Sequence, residues 1–363
     1  MRKLSVIIIC LCLTLSAFAQ NVTNVTARQA GNTVEVTYNL DKATTVSLLL
    51  SADGGQTYNL HPKSVTGDIG SVTAGNNKKA VWNLLADSTD WDIAQARFKV
   101  VAQKVAAQRT FTVSGVSFTM VRVDGGTFTM GCTSEQGSDC DSDESPAHQV
   151  TLSAYHIGQT EVTQGLWQAV MGTTVRQQRD KANGIWADSI RGEGDNYPMY
   201  YINLDECQDF VRKLNSLLSS QLGGAKFALP TEAQWEFAAR GGNKSQHYKY
   251  AGSNYIDNVA WYFDNSGNAT HPVAGKSPNE LGLYDMSGNV YEWCQDWDNF
   301  YGSGALTNPT GAASGSYRVN RGGSWGSDAV NCRVSGRSSG ATPSHRNYSL
   351  GCGWFFFSFN MSR

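Results

Sequence analysis

Charge is scarce in this 363-residue chain: Asp, Glu, Lys and Arg make up 17% of it, the formal net charge is -2, and lysines and arginines nowhere gather into a cluster. The electrostatic attraction that drives binding to phosphate backbones has no surface to act from, which excludes a nucleic-acid partner. Long apolar runs are missing as well. The run Leu4 to Leu15 falls short of the ~20 residues that cross a bilayer, and no later segment is long and uncharged enough, so no membrane span is expected. The six histidines, His61, His148, His156, His247, His271 and His345, contain no His-x3-His or His-Glu-x2-His spacing. That removes the usual helical zinc or iron centre.

What is present begins with Met1-Arg2-Lys3, the apolar run, and Ser16-Ala17-Phe18-Ala19. This charged, apolar, small-residue order is that of a secretory signal over residues 1–19, with cleavage after Ala19. The chain is therefore expected to be exported, to a periplasm, a cell surface or the extracellular medium. Cys10 and Cys12 lie inside the apolar run behind bulky residues, which argues against a lipid-anchored cysteine. Cys132, Cys140, Cys207, Cys294, Cys332 and Cys352 remain. An even number in an oxidising compartment points to disulfides. The pairings expected are Cys132–Cys140 and Cys294–Cys332, with buried thiols as the alternative.

The length suits two or three domains. Over residues 20–104 the pattern has period two: Val34, Val36 and Tyr38 alternate with Thr33, Glu35 and Thr37, and Val46, Leu48 and Leu50 repeat the alternation. Turn signals such as Asp53-Gly54-Gly55 separate these strands, which together indicate a small β-sandwich of the immunoglobulin or fibronectin type. No cluster of titratable residues marks it, so it reads as a spacer or docking module. Residues 105–113 read as a linker. From 114 to 363 the chain becomes irregular and glycine-rich, with few helices. Cys207, Phe210, Val211, Leu214, Leu217 and Leu218 form the stripe of a half-buried helix within 203–222. Thr231-Glu232-Ala233-Gln234 is a capping box that opens a helix ending at Gly241-Gly242.

Six segments of this second region carry a resemblance. They are Met120 to Gly131, Asp143 to Val150, Thr160-Glu161-Val162-Thr163, Leu229-Pro230-Thr231-Glu232-Ala233-Gln234-Trp235-Glu236, Asn279 to Trp293 with Ser287-Gly288-Asn289-Val290 inside it, and Arg321-Gly322-Gly323-Ser324-Trp325 followed by Cys332-Arg333-Val334. In that order, over about 114 to 353, they resemble the formylglycine-generating-enzyme family, also called sulfatase-modifying factors. The resemblance implies an α+β, C-type-lectin-like fold with little regular secondary structure, held by calcium and buried aromatics. The best-known members oxidise a sulfatase cysteine to formylglycine with oxygen and a copper ion held by two cysteines, since soft thiolates select Cu(I).

That copper pair has the form Cys-x4-Cys, with a histidine behind its first cysteine. Counting from Arg321-Gly322-Gly323-Ser324, the first cysteine falls on Ser327, the histidine on Asp328 and the second cysteine on Cys332. Taking Cys332 as the first puts Arg337 at the second. Either register loses a ligand, so copper and the oxidase reaction are not expected. Cys332 stays a weak catalytic candidate beside its reading as a structural disulfide cysteine.

The metal the resemblance retains is calcium, a hard ion that takes six to eight oxygens. The family's loop maps onto Asp285, Gly288, Val290 and Glu292, and a second family site maps onto Asn258, Val259, Asn265 and Gly267. The plainer reading of the first loop is an Asx turn around Ser287-Gly288-Asn289. Two further motifs lack the context they need. Gly322-Gly323-Ser324-Trp325-Gly326 fits Gly-x-Ser-x-Gly, but no apolar strand precedes it and no helical stripe follows. Asp143 and Glu144 sit in an acidic stretch that reads as a solvated loop. The ending Leu350-Gly351-Cys352-Gly353-Trp354 departs from the family's Leu-Gly-Phe-Arg, as a one-nucleotide shift of frame over 351–363 would make it.

The expectation is thus an exported, calcium-stabilised binding or scaffolding module whose partner is a protein, peptide or glycan. The alternatives are an active formylglycine-generating oxidase and a structural part of an envelope or secretion complex.

Overall fold

The computed structural model describes residues 22–42, 44–58, 60–87, 96–103, 107–182, 189–352 and 355–357. The signal expected over 1–19, with Cys10 and Cys12, lies outside them. The chain divides into two compact units, one ending at Ala106 and one beginning at Ala107. No helix among the described residues is long and apolar enough to cross a membrane.

The first unit comprises β1 (Val22–Ala30), β2 (Thr33–Leu40), β3 (Thr44–Ser51), β4 (Val65–Gly67), β5 (Gly70–Val72), β6 (Gly75–Asn83), the single turn α1 (Leu84–Asp87) and β7 (Arg97–Gln103). They form two antiparallel sheets, β1-β2-β6-β4 and β5-β3-β7. The period-two pattern decides which face is buried. In β2, Val34, Val36, Tyr38 and Leu40 point into a core shared with Val46, Leu48 and Leu50 of β3, Trp82 of β6 and Phe98 of β7. The Trp82 indole N–H would be stranded there, but it donates to Asp87 Oδ2 at 2.9 Å. The same carboxylate accepts the backbone N–H groups of Lys63 and Ser64.

The second unit runs, in chain order, through β8 (Gln108–Val113), β9 (Val116–Val123), β10 (Gly126–Met130), β11 (His148–Leu152), β12 (Tyr155–Gly158), α2 (Gln164–Met171), α3 (Val175–Arg179), α4 (Leu204–Leu217), α5 (Ser219–Leu222), β13 (Lys226–Ala228), α6 (Glu232–Ala239), β14 (Tyr291–Trp297), β15 (Leu306–Thr307), β16 (Arg318–Arg321), β17 (Arg337–Ala341), β18 (Leu350–Gly351) and β19 (Phe355–Phe357). Its sheets have the orders β13-β19-β12-β9-β8, β17-β16-β14-β18 and β10-β11-β15. Among the described residues, the long segments between them have no regular structure beyond short 3-10 turns, as the glycine-rich sequence implies.

Three expectations need correction. The linker expected over 105–113 is strand β8 from Gln108 on, with Phe111 and Val113 buried. The tight Ser114-Gly115 turn, both residues at positive φ, returns it antiparallel onto β9. The helix expected over 203–222 breaks at Leu218, where a short second helix starts on Ser219-Ser220, residues that compete for backbone bonds. Cys132 and Cys140 are bonded, but Cys294 and Cys332 are separate buried thiols. Cys294 on β14 points into the cluster around α6, whereas Cys332 packs with Tyr250, Val259, Ala260 and Tyr262.

Of the segment over 351–363, residues 351, 352 and 355–357 are described. Leu350 and Gly351 pair parallel with Tyr291 and Glu292. Phe355 and Phe356 run antiparallel between β12 and β13.

Helix α6 organises this unit. Its capping box forms as the sequence indicates, and Gly241, at φ 89°, ends it. All eight of its residues are buried, including Glu232 and Glu236, one turn apart on the same face. Arg321, which is 0% exposed, pairs with Glu236, and Arg240 Nε lies 2.8 Å from the same carboxylate. Glu232 takes a bidentate pair from Arg337, at 2.6 and 3.1 Å. Glu144 is likewise buried, bonded to Arg333 and to Ser335 Oγ, so the solvated-loop reading of that residue fails. Burial pushes the Glu232 and Glu144 carboxyls up, but the arginines outweigh it and hold both below their ordinary range.

Removing one partner of such a pair strands a buried charge. Arg333→Met is expected to cost about 3–5 kcal/mol, read as a lower urea midpoint, while a substitution at the exposed Arg212 shifts it little. Because the folded carboxyls of Glu144 and Glu232 are depressed, their stabilisation is complete above the ordinary glutamate range near pH 4.3 and is lost as pH falls below it. Thermal midpoints between pH 6 and pH 3 should therefore fall more steeply for the native chain than for Glu144→Gln.

Candidate functional site

After β16 the backbone turns through Gly322 (φ 97°) and Gly323 (φ 74°). A Cβ on Gly323 would sit 2.5 Å from Cys332 Sγ, so only glycine lets the chain cross the thiol here. Cys332 ends the short turn Ala329–Cys332 and is fully buried. Burial pushes its thiol up to about 12, although the backbone N–H groups of Ser324 and Gly288 pull the other way. A thiol buried and raised in this way is slow to act as a nucleophile.

Ser327, where the first copper cysteine would fall, is held by hydroxyls. Its Oγ lies 3.1 Å from Ser324 Oγ, accepts the Ser324 N–H at 3.1 Å, and donates to the Tyr291 hydroxyl at 3.2 Å. Asp328, at the histidine position, is exposed. The Ser324 hydroxyl thus lies against the Ser327 hydroxyl, just beyond the end of strand β16.

Tyr291 also lines a pocket of about 250 Å³ whose other walls include Tyr317, Asn320, Thr342, His345 and Asn347. None of its lining residues is Asp, Glu, Lys or Arg. Burial lowers the His345 imidazole below its usual value, which favours the neutral ring, and its Nε2 lies 3.1 Å from Asn347 Nδ2. Gly340, at φ 93°, leaves room for the half-exposed Tyr317 ring, which a Cβ would meet at 2.9 Å. The chemistry offered is aromatic surface with hydroxyl and amide hydrogen bonds. A second pocket, of about 320 Å³, is floored by Glu232, Asp296 and Arg337, and so opens onto the buried ion pairs of α6.

Directly before Tyr291 lies the loop expected to hold calcium. Asp285 (φ 57°), Gly288 (φ 81°) and Asn289 (φ 59°) are left-handed, and a Cβ on Gly288 would sit 2.3 Å from the Trp261 carbonyl oxygen. Asn289 does not make a local Asx turn. Its amide bonds Glu161 Oε2 at 2.8 Å, the His271 carbonyl at 3.2 Å and the His271 N–H at 3.0 Å. Asp285 and Glu292 are buried; Asp285 accepts the Ala274 N–H and Glu292 the Trp235 Nε1–H. Burial raises Asp285 to about 6, and burial with Asp285 nearby raises Glu292 to about 8. Burial and both of these neighbours push Glu161 well above its ordinary value. None of the ion pairs among the described residues involves these three acids.

Three desolvated acids that repel one another, without a paired arginine or lysine, fit a hard cation. No three His, Cys, Asp or Glu side chains converge into a metal cage among the described residues. A site here would draw on Asp285, Glu292 and the carbonyls of Gly288 and Val290, which is the mixed set expected. The second set is used differently. Asn265 Oδ1 accepts the Tyr262 N–H, and its Nδ2 donates to Asp257 and to the Ala260 carbonyl. Lys276 Nζ already binds the Asp257 carbonyl at 2.8 Å. Asn258 ends the short turn Ile256–Asn258, Val259 follows it, and a Cβ on Gly267 would meet nothing within 4 Å.

Sequence reasoning gave Glu161 no role, although an acid between segments destined for burial is a signal in itself. The Tyr291–Ser327 contact and the neutral pocket had no such signal, because their residues come from β14, β16, β17 and the loop before β18.

Comparison with known proteins bears on this arrangement. Residues 107–352 match the family described as the sulfatase-modifying factor enzyme 1-like domain. The chaperone protein LppX of Paenibacillus barcinonensis is 34% identical over 251 residues, 61% of this chain and 83% of that protein. The formylglycine-generating enzyme of Streptomyces coelicolor is 29% identical over 286 residues, 64% of this chain and 87% of that protein. Among solved structures, Treponema denticola variable protein 1 superposes with a TM-score of 0.57 at 34% identity, covering 69% of this chain and 99% of that one. From its match over 107–352, the chain belongs to the sulfatase-modifying factor enzyme 1-like family.

Proposed function

We propose that this protein is an exported binding module in which the family domain holds calcium in the loop from Asp285 to Glu292, presents the neutral pocket beside Tyr291 to a ligand, and does not oxidise cysteine with copper. The observation that carries the reading is Ser327. A hydroxyl bonded to Tyr291 and Ser324 stands where a second soft ligand would have to be, and the remaining thiol, Cys332, is buried and protonated. The seven-stranded first unit serves as an immunoglobulin- or fibronectin-like spacer. The chain is similar to a protein named a chaperone and to one named a variable protein as well as to a formylglycine-generating enzyme, so likeness to this family does not by itself call for the oxidase reaction.

The ligand is polar and uncharged, a segment of glycan or peptide, because an ionic group would find no counter-charge among the pocket walls. Calcium supplies positive charge that offsets the repulsion among Glu161, Asp285 and Glu292. The chain's own contribution is positional: β14 carries Glu292 beside the loop and Tyr291 beside the pocket, so ordering one orders the other.

Calcium should raise the thermal midpoint of the chelator-treated protein by several degrees, with the effect abolished in Glu292→Gln; an equal rise in that variant places the ion elsewhere. On paired glycan and peptide arrays, Tyr317→Ala should weaken retention about tenfold, and chelator should weaken it too. Retention unchanged by Tyr317→Ala removes the pocket from the proposal. Oxygen- and copper-dependent conversion of a Cys-x-Pro-x-Arg peptide, lost in Cys332→Ser, would replace the binding reading with an oxidase.

A further inference from the structure

Four thiols of the second unit are reduced in this structure: Cys207, Cys294, Cys332 and Cys352. Cys294 and Cys332 belong to different clusters. Cys207 and Cys352 belong to the same one, and their side chains are hydrogen-bonded thiol to thiol. Cys207 lies in the first turn of α4, on its buried stripe with Phe210 and Val211. Cys352 follows β18 and precedes β19, where the backbone passes from one sheet of the unit to another. Both are essentially unexposed, at 0% and 1%. The Cys352 carbonyl accepts the Val162 N–H at 3.3 Å, and the Cys207 N–H donates to Asn203, so both backbones are held in place.

We infer that Cys207 and Cys352 are the sites of a second disulfide, one that fastens α4 to the crossover between β18 and β19. The inference stands apart from the proposed binding function. The oxidant is a small disulfide such as oxidised glutathione. The thiolate of one cysteine attacks it, forming a mixed disulfide and releasing one glutathione thiolate. The thiolate of the other then displaces the second glutathione. Two cysteine S–H bonds and one S–S bond are lost, one S–S bond and two glutathione thiols are formed, and the two protons end on glutathione.

Timing follows from burial. Desolvation, with Cys352 adjacent, pushes the Cys207 thiol well above its ordinary value, and a protonated, inaccessible thiol exchanges slowly. The bond therefore forms while the chain folds and its sulfurs are still open to solvent, and is then sealed in the core. Two buried cysteines acting merely as small apolar side chains would have no need to meet. A bond between residues so distant in sequence constrains the unfolded chain strongly.

The test is to refold the fully reduced, denatured full-length chain in a mixture of oxidised and reduced glutathione, block remaining thiols with N-ethylmaleimide, and map peptides without reduction. The expected result is a Cys207 peptide joined to a Cys352 peptide in most molecules, alongside Cys132–Cys140, with maleimide on Cys294 and Cys332. Maleimide on both Cys207 and Cys352 in molecules that have formed Cys132–Cys140 overturns the inference, as does Cys207 joined to Cys294 or Cys332. A second measurement compares the thermal midpoints of the native chain and Cys352→Ala, each refolded with glutathione or with dithiothreitol. The native chain should lead by about 5–10 °C more in the oxidised pair than in the reduced pair. An equal lead in both pairs means that the thiol contributes packing alone, and the inference fails.

Discussion

Two glutamates one turn apart on a helix with no exposed face set the terms for the second unit. Glu232 and Glu236 can be charged inside the protein only if guanidinium groups reach them: Arg240 does so from the end of the same helix, while Arg321 and Arg337 arrive from far along the chain, on β16 and β17. Arg321 also spends N–H groups on the carbonyls of Val334, Ser335 and Gly336, so the pair fixes the backbone that follows the Cys332 turn. Glu144 and Arg333 repeat the device beside it. A fold with long irregular segments has few ladder hydrogen bonds to hold its loops. Here buried ion pairs, directional and costly to break, take over part of that task.

Where local rules decide the structure, the sequence is legible. The alternation of Val34, Val36 and Tyr38 gives a strand with one buried face. Thr231 with Gln234, and Asn203 at the start of α4, mark helix starts that form with reciprocal cap bonds. Cys132 and Cys140 lie close enough in sequence for their pairing to be guessed. Non-local features behave otherwise. The α6 stripe reads as an apolar helix with two acids on it; the i,i+4 spacing announces Arg240 for Glu236, but nothing nearby announces Arg321 and Arg337. Cys294–Cys332 is a plausible pair by order along the chain and an impossible one once β14 sends Cys294 into a different cluster. The strand β8 escapes notice because a short run of threonines around Phe111 resembles a polar connection until β9 is laid beside it.

The candidate site shows the same division. A loop in which Asp285, Gly288 and Asn289 take left-handed conformations is foreshadowed by its residue types, since Gly, Asn and Asp tolerate that region best. Glu161 is different: its motif is visible, but its purpose, gripping Asn289 and the Val290 N–H from across the domain, needs the fold. The C-terminal segment is instructive in the opposite sense. Its wording departs from the family, yet β18 and β19 both form. Strand pairing asks for backbone groups and tolerable side chains rather than particular residues.

These constraints converge on β14. Glu292 faces the loop acids, Trp293 donates to the Ile202 carbonyl in one core, Cys294 enters another, and Tyr291 reaches Ser327 and the neutral pocket. A period of two assigns neighbouring residues to opposite faces, so one short strand can connect a charged interior to a ligand-facing surface. Ser327 fits into that scaffold through hydroxyl contacts to Tyr291 and Ser324, so the turn after β16 is tied to β14 at the point where the strand meets the neutral pocket. The binding function proposed above depends on that junction, because a fold fixes where a site can sit while the side chains placed there decide its chemistry.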